Sequence, residues 1–324
     1  MDLRQLAALI AIADHGSFSA AARALYTVQS NVSGHIARLE RELGATLVDR
    51  GRGGLTDDGA MVVDRARRIH RELDAIVADL SARHDQIAGE AYLGVIGTTG
   101  RWLMPELLTA LTVTHPLVKA VVVEGSTSSL LARLVAGQLD AAIVHLPVDD
   151  PDLTVEALFA EDLIVVAPSD HPLAAYEELP FSEVAKHPLL LPPRGTALRR
   201  VIDRAAANID VTLHAQAEID GVRLMCALAL DGYGPTIIPA TALPKGVPDE
   251  LRRITVPELP RRVVGWAHRR RPGPSAPVRA VLDLLRELIA QTGDLQPGVH
   301  VGNVSPLLGR SLGREEATGP RRHE

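Results

Sequence analysis

The sequence predicts an α/β chain: a small helical N-terminal domain with a β-ribbon, one long linker helix, and a larger domain of alternating strands and helices. Three observations carry this. Residues 1–57 hold three closely spaced helical patterns and end at a glycine-rich ribbon. Residues 58–88 carry an apolar seam that steps by fours and threes. From about 90 to 290, apolar strand-like runs alternate with helical periodicity. A length of 324 residues exceeds the comfortable size of one core and agrees with this division.

In the first domain, Leu3, Leu6, Ile10 and Ala13 recur at helical spacing, and His15-Gly16 stops the helix. Ser17 or Ser19 caps a second, short helix through Ala20-Ala21-Ala22, whose small side chains let two helices approach closely. A turn at Tyr26-Thr27-Val28 leads into a helix from Gln29 to Leu43, with Val32, Ile36, Leu39 and Leu43 as its buried stripe. The opposite face shows Gln29, Ser30, Asn31, Ser33, Gly34, His35 and Arg38. Two short helices, a tight turn and a polar-faced second helix are the layout of a helix-turn-helix, whose second helix enters the major groove. The run from Leu47 to Thr56 reads as a β-ribbon carrying Arg50 and Arg52 at its tip. Beside a recognition helix such a ribbon is a wing that sets guanidinium groups against phosphate or the minor groove. An ordinary surface hairpin has the same residues. Residues 1–57 hold six Arg against six Asp and Glu, so binding there depends on placement rather than bulk charge.

In the linker, Val62, Ala66, Ile69, Leu73, Ile76 and Leu80 form an a/d seam over nearly three heptads, with Arg65, Arg67, Arg68, Arg71, Glu72 and Asp79 on the other faces. A helix this polar with one narrow stripe needs a partner. A dimerising helix is the expectation, and packing on its own domain is the alternative.

The third region predicts a largely parallel sheet covered by helices, with strand-like runs at 92–96, 120–123, 141–144, 163–167, 189–191, 211–217, 235–238 and 263–267. Ligands of such sheets sit beyond the carboxyl ends of strands, often at helix N-termini. The loops there are Gly97-Thr98-Thr99-Gly100, Gly125-Ser126-Thr127-Ser128-Ser129, Pro193-Arg194-Gly195-Thr196 and Asp220-Gly221-Val222. Their hydroxyls and free amides suit a small anion, although plain N-capping explains any one loop as well. Thr98, Thr99, Ser126, Thr127, Arg194 and Thr196 are therefore candidate ligand-pocket residues, with His145 at a strand end as a seventh; a satisfied core histidine and a solvated helix face are the alternatives for His145 and Arg194. From Gln291 to Glu324 the residues show no period and little apolar content, which predicts a disordered tail.

The charge balance of 34 Lys and Arg against 40 Asp and Glu gives a net charge of −6. One cysteine, Cys226, excludes a disulfide framework and fits a reducing compartment. No apolar run approaches the ~20 residues of a spanning helix, and the N-terminal apolar run lacks a basic leader, so a soluble cytoplasmic protein is expected. An enzyme is the competing class. Gly94, Gly97 and Gly100 match neither a dinucleotide fingerprint nor a P-loop, and the 12 histidines form no two-histidine helical motif. No cofactor or metal is expected.

A family likeness runs through the chain. Asp2-Leu3-Arg4-Gln5-Leu6, His15-Gly16-Ser17-Phe18-Ser19-Ala20-Ala21-Ala22, Val28-Gln29-Ser30-Asn31-Val32-Ser33 and Leu39-Glu40-Arg41-Glu42-Leu43-Gly44 follow in order, then Leu55-Thr56-Asp57-Asp58-Gly59. Gly137-Gln138-Leu139-Asp140-Ala141-Ala142-Ile143, His171-Pro172-Leu173 and Gly232-Tyr233-Gly234-Pro235 continue it to about residue 290. These residues resemble LysR-type transcriptional regulators. The resemblance implies a winged helix-turn-helix at 1–57, a dimerisation linker helix at 58–88, and an effector domain at 89–290. That domain would have the two-lobed fold of periplasmic solute-binding proteins, one lobe at 90–165 plus 265–290 and the other at 166–264. It also implies a homodimer or homotetramer on double-stranded DNA, a small-molecule effector in the interlobe cleft, RNA polymerase as a further partner and no membrane. DNA contacts fall on Thr27, Gln29, Ser30, Asn31, Ser33, His35, Arg38, Arg50 and Arg52. Thr98 and Thr127 match hydroxyl positions lining the cleft. The family commonly has Ser-Gln-Pro where this chain has Val28-Gln29-Ser30, so capping would fall to Thr27. A cytoplasmic small-molecule-binding protein or an enzyme of the same two-lobed fold is the alternative.

Overall fold

A computed structural model describes the chain except for Arg50, Arg52, Gly53, Asp85, Pro244, Lys245 and residues 303–324. It contains two compact units, residues 1–89 with the segment 135–138, and the remainder.

The first unit opens with α1 (Leu3–His15). Asp2 caps it: the carboxylate accepts from the Gln5 N–H, and the Gln5 side chain accepts from the Asp2 N–H. That reciprocal pair satisfies two amides the helix leaves free. Gly16, at φ +73°, ends α1 in the left-handed region that favours glycine. Ser17, rather than Ser19, caps α2 (Phe18–Ala24), accepting from the Ala20 N–H. Tyr26 takes the left-handed turn at φ +52° before α3 (Gln29–Leu43). Val28 occupies the N-cap of α3 without a side-chain bond. Thr27 does not cap the helix as expected; its hydroxyl instead accepts from the Asn31 side-chain amide. Val32, Ile36 and Leu39 are fully buried against Leu9, Ile12 and Leu47. Leu43, expected in that stripe, is exposed because the helix outlasts the small core.

The ribbon is β1 (Val48–Asp49) paired antiparallel with β2 (Gly54–Leu55). Arg50 and Arg52 at its tip lie outside the described residues. The long helix α4 (Asp57–Ala82) stops short of the expected residue 88. Thr56 caps it through the Gly59 N–H and donates its own hydroxyl to the Thr46 carbonyl at 2.7 Å. The first turns of α4 are embedded, with Val63 and Ala66 in the core. Farther along, Ile69, Leu73, Ile76 and Leu80 are 37–57% exposed. Packing on its own domain thus accounts for the start of the seam, and the rest lies open in the single chain.

The second unit contains two sheets. The first comprises β3 (Gly89–Val95), β4 (Val118–Glu124), β5 (Ala141–His145), β6 (Leu153–Glu161), β12 (Arg262–Arg269) and β13 (Val299–His300) in the order β13-β6-β12-β5-β3-β4. The second has β7 (Leu163–Pro168), β8 (Leu189–Leu191), β9 (Ala215–Glu218), β10 (Thr236–Pro239) and β11 (Leu251–Ile254) in the order β11-β7-β10-β8-β9. Helices α5 (Gly97–Thr114), α6 (Thr127–Val135) and α10 (Ala276–Thr292) accompany the first sheet, and α7 (Phe181–Val184), α8 (Ala197–Ala207) and α9 (Val222–Leu230) the second. The sheets are mixed rather than largely parallel. β3 runs parallel to β5, and β8 to β9 and β10, whereas β12 runs antiparallel to both its neighbours and β7 to both of its own. The returning β12 inserts between β5 and β6 and breaks the parallel order.

The two lobes meet where the chain passes from β6 to β7 at Asp162 and back between Ile254 and Arg262. Thus Leu163–Pro168 belong wholly to the second lobe rather than straddling a boundary at 165, and the returning strand starts at Arg262 rather than 265. The tail expected from Gln291 is ordered as far as residue 302: α10 runs to Thr292, and Val299 pairs with Glu161. The Gln296 amide, donating to the Leu243 carbonyl, and His300, 2.9 Å from Asp162, tie this stretch down. Residues 303–324 lie outside the described residues.

Candidate functional site

Two regions bring candidate side chains together, one in each unit. On α3 the polar residues split into two flanks because about 100° per residue separates neighbours. Gln29 and Ser33, four apart, lean towards α2 and line a depression of about 360 Å³ with Ile12, Gly16, Ser17, Phe18, Ser19 and Val48. Asn31, His35 and Arg38 occupy the other flank, where Arg38 donates to His35 Nδ1 at 3.3 Å. Ser30 and Gly34 lie between these flanks, and a Cβ on Gly34 would meet nothing within 4 Å. The crest of the helix is thus low and bare. Gln29, Ser30, Asn31 and Arg38 are exposed, while Ser33, His35 and Thr27 are half-buried. Val28 and Tyr26, which sequence reasoning did not single out, are among the most exposed apolar side chains of the unit.

In the second unit, the carboxyl ends of β4, β3 and β5 lie side by side. The Gly125 N–H donates to the Val95 carbonyl, and the Ile96 N–H to the Ile143 carbonyl. This brings the Thr98 and Thr127 loops next to His145. Thr98 and Thr99 are buried in the first turn of α5, which has no side-chain cap. Thr99 Oγ1 is buried without a hydrogen-bond partner among the described residues. Thr127 Oγ1 accepts from the His145 backbone N–H at 3.1 Å. Ser126 is committed to its own turn, accepting from the Ser129 N–H.

His145 reaches Arg262 through Nε2. A guanidinium only donates, so Nε2 accepts and the ring proton sits on Nδ1, which is buried and has no partner among the described residues. Burial, with the Arg262 cation second, holds the His145 pKa well below its ordinary 6.5. Across the sheet, Glu161 is paired in register with Arg262 and is fully buried. Its Oε2 accepts from the Thr241 hydroxyl at 2.6 Å, while Oε1 has no partner among the described residues. Desolvation pushes the Glu161 carboxyl up, opposed by the Arg262 charge and the Thr241 bond. Desolvation likewise lowers Arg262, and the Glu161 charge opposes it. Thr241 belongs to the turn after β10, so this bond crosses from lobe to lobe. Two further ties cross as well: Arg101 of α5 donates to the Ala242 carbonyl, and Arg223 of α9 pairs with Glu124 at 2.7 Å.

Arg194 and Thr196 fall on the other sheet and are engaged within it. Thr196 caps α8 and donates to the Pro193 carbonyl. Arg194 lies 3.8 Å from Glu218, a carboxylate held mainly by buried Arg199. Arg262, Glu161, Thr241, Glu124 and Arg223 were not visible as site residues in the sequence, because each is isolated and its partner lies 80 or more residues away. Among the described residues, no group of three or more His, Cys, Asp or Glu is arranged to hold a metal ion.

Fold and site together define a winged helix-turn-helix DNA reader carrying a two-lobed small-molecule-binding unit. Residues 3–60 match the family described as "Bacterial regulatory helix-turn-helix protein, lysR family", and residues 84–290 match the "LysR substrate binding domain". The chain belongs to the LysR family of transcriptional regulators. It is 32% identical over 303 residues to the DNA-binding transcriptional dual regulator OxyR of Escherichia coli K12, covering 89% of this chain and 95% of the relative. A probable hydrogen peroxide-inducible genes activator of Mycobacterium leprae is 32% identical over 299 residues, covering 88% and 93%. Among solved structures, a full-length OxyR variant from Pseudomonas aeruginosa superposes with a TM-score of 0.69 at 25% identity, covering 92% of this chain and 97% of that one. CbnR complexed with its target DNA gives 0.68 at 21% identity, covering 90% and 100%, a likeness of fold. The chain is therefore a DNA-binding regulator and not an enzyme. Among the described residues, no helix is long and apolar enough to cross a membrane.

Proposed function

We propose that this regulator reads a two-fold DNA site as a cytoplasmic homo-oligomer and changes its grip when a small molecule binds between its lobes. The carrying observation is α3: Val32, Ile36 and Leu39 are fully buried while Gln29, Ser30, Asn31 and Arg38 stay exposed. A helix anchored on one side and polar on the other fits the major groove. Ser33 and His35 flank the contact, Thr27 holds Asn31, and Arg50 and Arg52 supply phosphate contacts from the wing. The exposed half of the α4 seam is the dimer contact, and two copies read a palindrome. Contact with RNA polymerase belongs to the same reading if the regulator activates. Fluorescence anisotropy with the duplex upstream of its own gene tests this. Gln29→Ala or Ser33→Ala should erase the preference for that duplex over a scrambled one while leaving thermal unfolding unchanged. Unchanged preference in both variants would place recognition elsewhere.

For the effector, Thr98, Thr99, Thr127 and His145 form the first-lobe wall of the site. Their hydroxyls and the His145 Nδ1–H favour a ligand bearing acceptor oxygens. Some relatives are named for hydrogen peroxide, but a thiol-disulfide response does not suit this chain. It holds a single cysteine, and burial pushes the Cys226 thiol up to about 11, far from the thiolate that reacts with peroxide. Reversible binding of a small molecule is the better reading. Replacing Thr98 and Thr127 together by valine should abolish a thermal shift obtained with any hit from a screen of small organic acids, with DNA affinity retained.

A further inference from the structure

The turn that leads into α3 breaks local preferences without a gain to the fold. Val28 stands at the N-cap of α3, with φ −94° and ψ 151°, and offers no side-chain bond to the helix. Serine, threonine, aspartate and asparagine are favoured there because a side-chain oxygen can accept from a free amide of the first turn, and valine is among the residues least suited. Burial does not compensate, since Val28 is 60% exposed. Two residues earlier, Tyr26 holds a positive φ of +52°, uncommon for a bulky side chain, and is 99% exposed. Leu25 beside it is exposed as well. A missing cap, a left-handed aromatic residue and these exposed apolar side chains add nothing to the core. Departures from local preference that the fold does not offset mark functional positions.

The turn is nonetheless rigid. The Thr27 N–H donates to the Ala22 carbonyl at 2.9 Å, and the Tyr26 N–H to the Arg23 carbonyl at 3.2 Å. The Val28 carbonyl accepts from the Asn31 N–H at 3.0 Å as α3 begins. With the backbone held on both sides, and χ1 restricted by branching at Cβ, the Val28 methyl groups are presented to solvent in a fixed place. Gln29, Ser30 and Asn31, the next three residues, are exposed beside them. The N-terminal residues of a recognition helix are the ones that contact base edges. In the major groove the apolar group on a base edge is the C5-methyl of thymine.

We propose that Val28 is a specificity-determining residue for DNA: its side chain packs on the C5-methyl of one thymine in each half-site. This inference rests on α3 being the recognition helix. Valine neither donates nor accepts a hydrogen bond, so it distinguishes thymine from the other bases through the methyl alone, by removing apolar surface from water.

The experiment starts with selection from a randomised duplex pool by the full-length chain, run for the wild type and Gln29→Ala. Each thymine of the wild-type site is then exchanged for uracil, which removes the methyl and leaves every hydrogen-bonding group in place. Affinities for these duplexes are measured with the wild type, Val28→Ser and Val28→Ile. One exchange should weaken the wild type about fourfold in a single half-site, the transfer value of one buried methyl, and about sixteenfold with both half-sites changed. Val28→Ser should bind the thymine and uracil duplexes equally, while its thermal midpoint holds or rises because the hydroxyl supplies the missing cap. Val28→Ile keeps the apolar contact and should keep the uracil penalty. A wild type indifferent to every exchange overturns the proposal, and so does a penalty of the same size in Val28→Ser. If Gln29→Ala selects the same motif as the wild type, the recognition-helix reading itself fails. A motif that Gln29→Ala flattens, with no methyl effect that depends on Val28, removes this inference alone.

Discussion

The two units use polar side chains in opposite ways. In the N-terminal unit the proposed DNA-contacting groups stand on or beside one short helix, close together in sequence, and their ties are exposed and local, such as Arg38 to His35 and Asn31 to Thr27. In the effector unit the polar groups of interest are sunk at the junction of two lobes and meet across large stretches of chain, as Thr241 meets Glu161 and Arg262 meets His145. A surface that reads a rigid duplex needs shape and accessible donors. A cleft that binds and moves needs buried groups whose cost is offset only by one another. Substitutions in the first unit should therefore change binding at constant stability, whereas those in the second should change stability first.

The largest effect expected is from Arg262→Met. It removes the cation facing buried Glu161 and the donor to His145, and should cost about 3–5 kcal/mol in urea unfolding of the effector unit. A loss below about 1 kcal/mol would mean that the buried carboxyl is neutral and indifferent to Arg262. Thr241→Val comes next, at about 1–3 kcal/mol, because it strips the Glu161 carboxylate of its hydroxyl donor. Third is pH. His145 has a folded pKa below its unfolded value, so its contribution is complete above pH 6.5 and is lost as pH falls towards the depressed folded value. Glu161 is shifted up and works in the opposite sense, favouring the fold as its proton binds. Urea midpoints between about pH 7 and 5 should fall less steeply in His145→Gln than in the wild type; equal slopes would remove His145 from the account. Arg38→Ala should leave stability within about 0.5 kcal/mol of the wild type while weakening DNA binding. Glu124→Gln should be the mildest in the effector unit, below about 1 kcal/mol, since its partner Arg223 is largely exposed.

The same contrast explains what the sequence disclosed. α1 and α3 of the first unit were legible nearly to the residue because their signals are local: glycines at 16 and 44 and apolar residues at helical spacing, whereas α4 stops six residues short of its expected end. The details that differ are those settled by neighbours outside the pattern, such as Thr27 bonding Asn31 instead of capping, and Leu43 lying beyond the core. In the second unit β6 gives no clear signal. Its run from Leu153 to Glu161 is interrupted by Glu156 and Glu161, which belong there only because Arg286 and the Thr241–Arg262 pair reach them from far along the chain. β13 is hidden for the same reason: its two residues are held by pairing with β6 and by the contact of His300 with Asp162. Of the effector candidates, Thr98, Thr99, Thr127 and His145 converge at adjacent strand ends, whereas Arg194 and Thr196 serve the local structure of the other lobe.

Gly59 is buried where α4 leaves the ribbon, and a Cβ there would overlap the Leu47 carbonyl oxygen. With Thr56 bonded both to Gly59 and to Thr46, and Arg67 paired with Asp14 of α1, the long helix is welded to the DNA-reading head. Its 26 residues make a rigid arm about 39 Å long. Because the arm is fixed to the head at its start, moving its far end by about 7 Å turns the head through only about 10°.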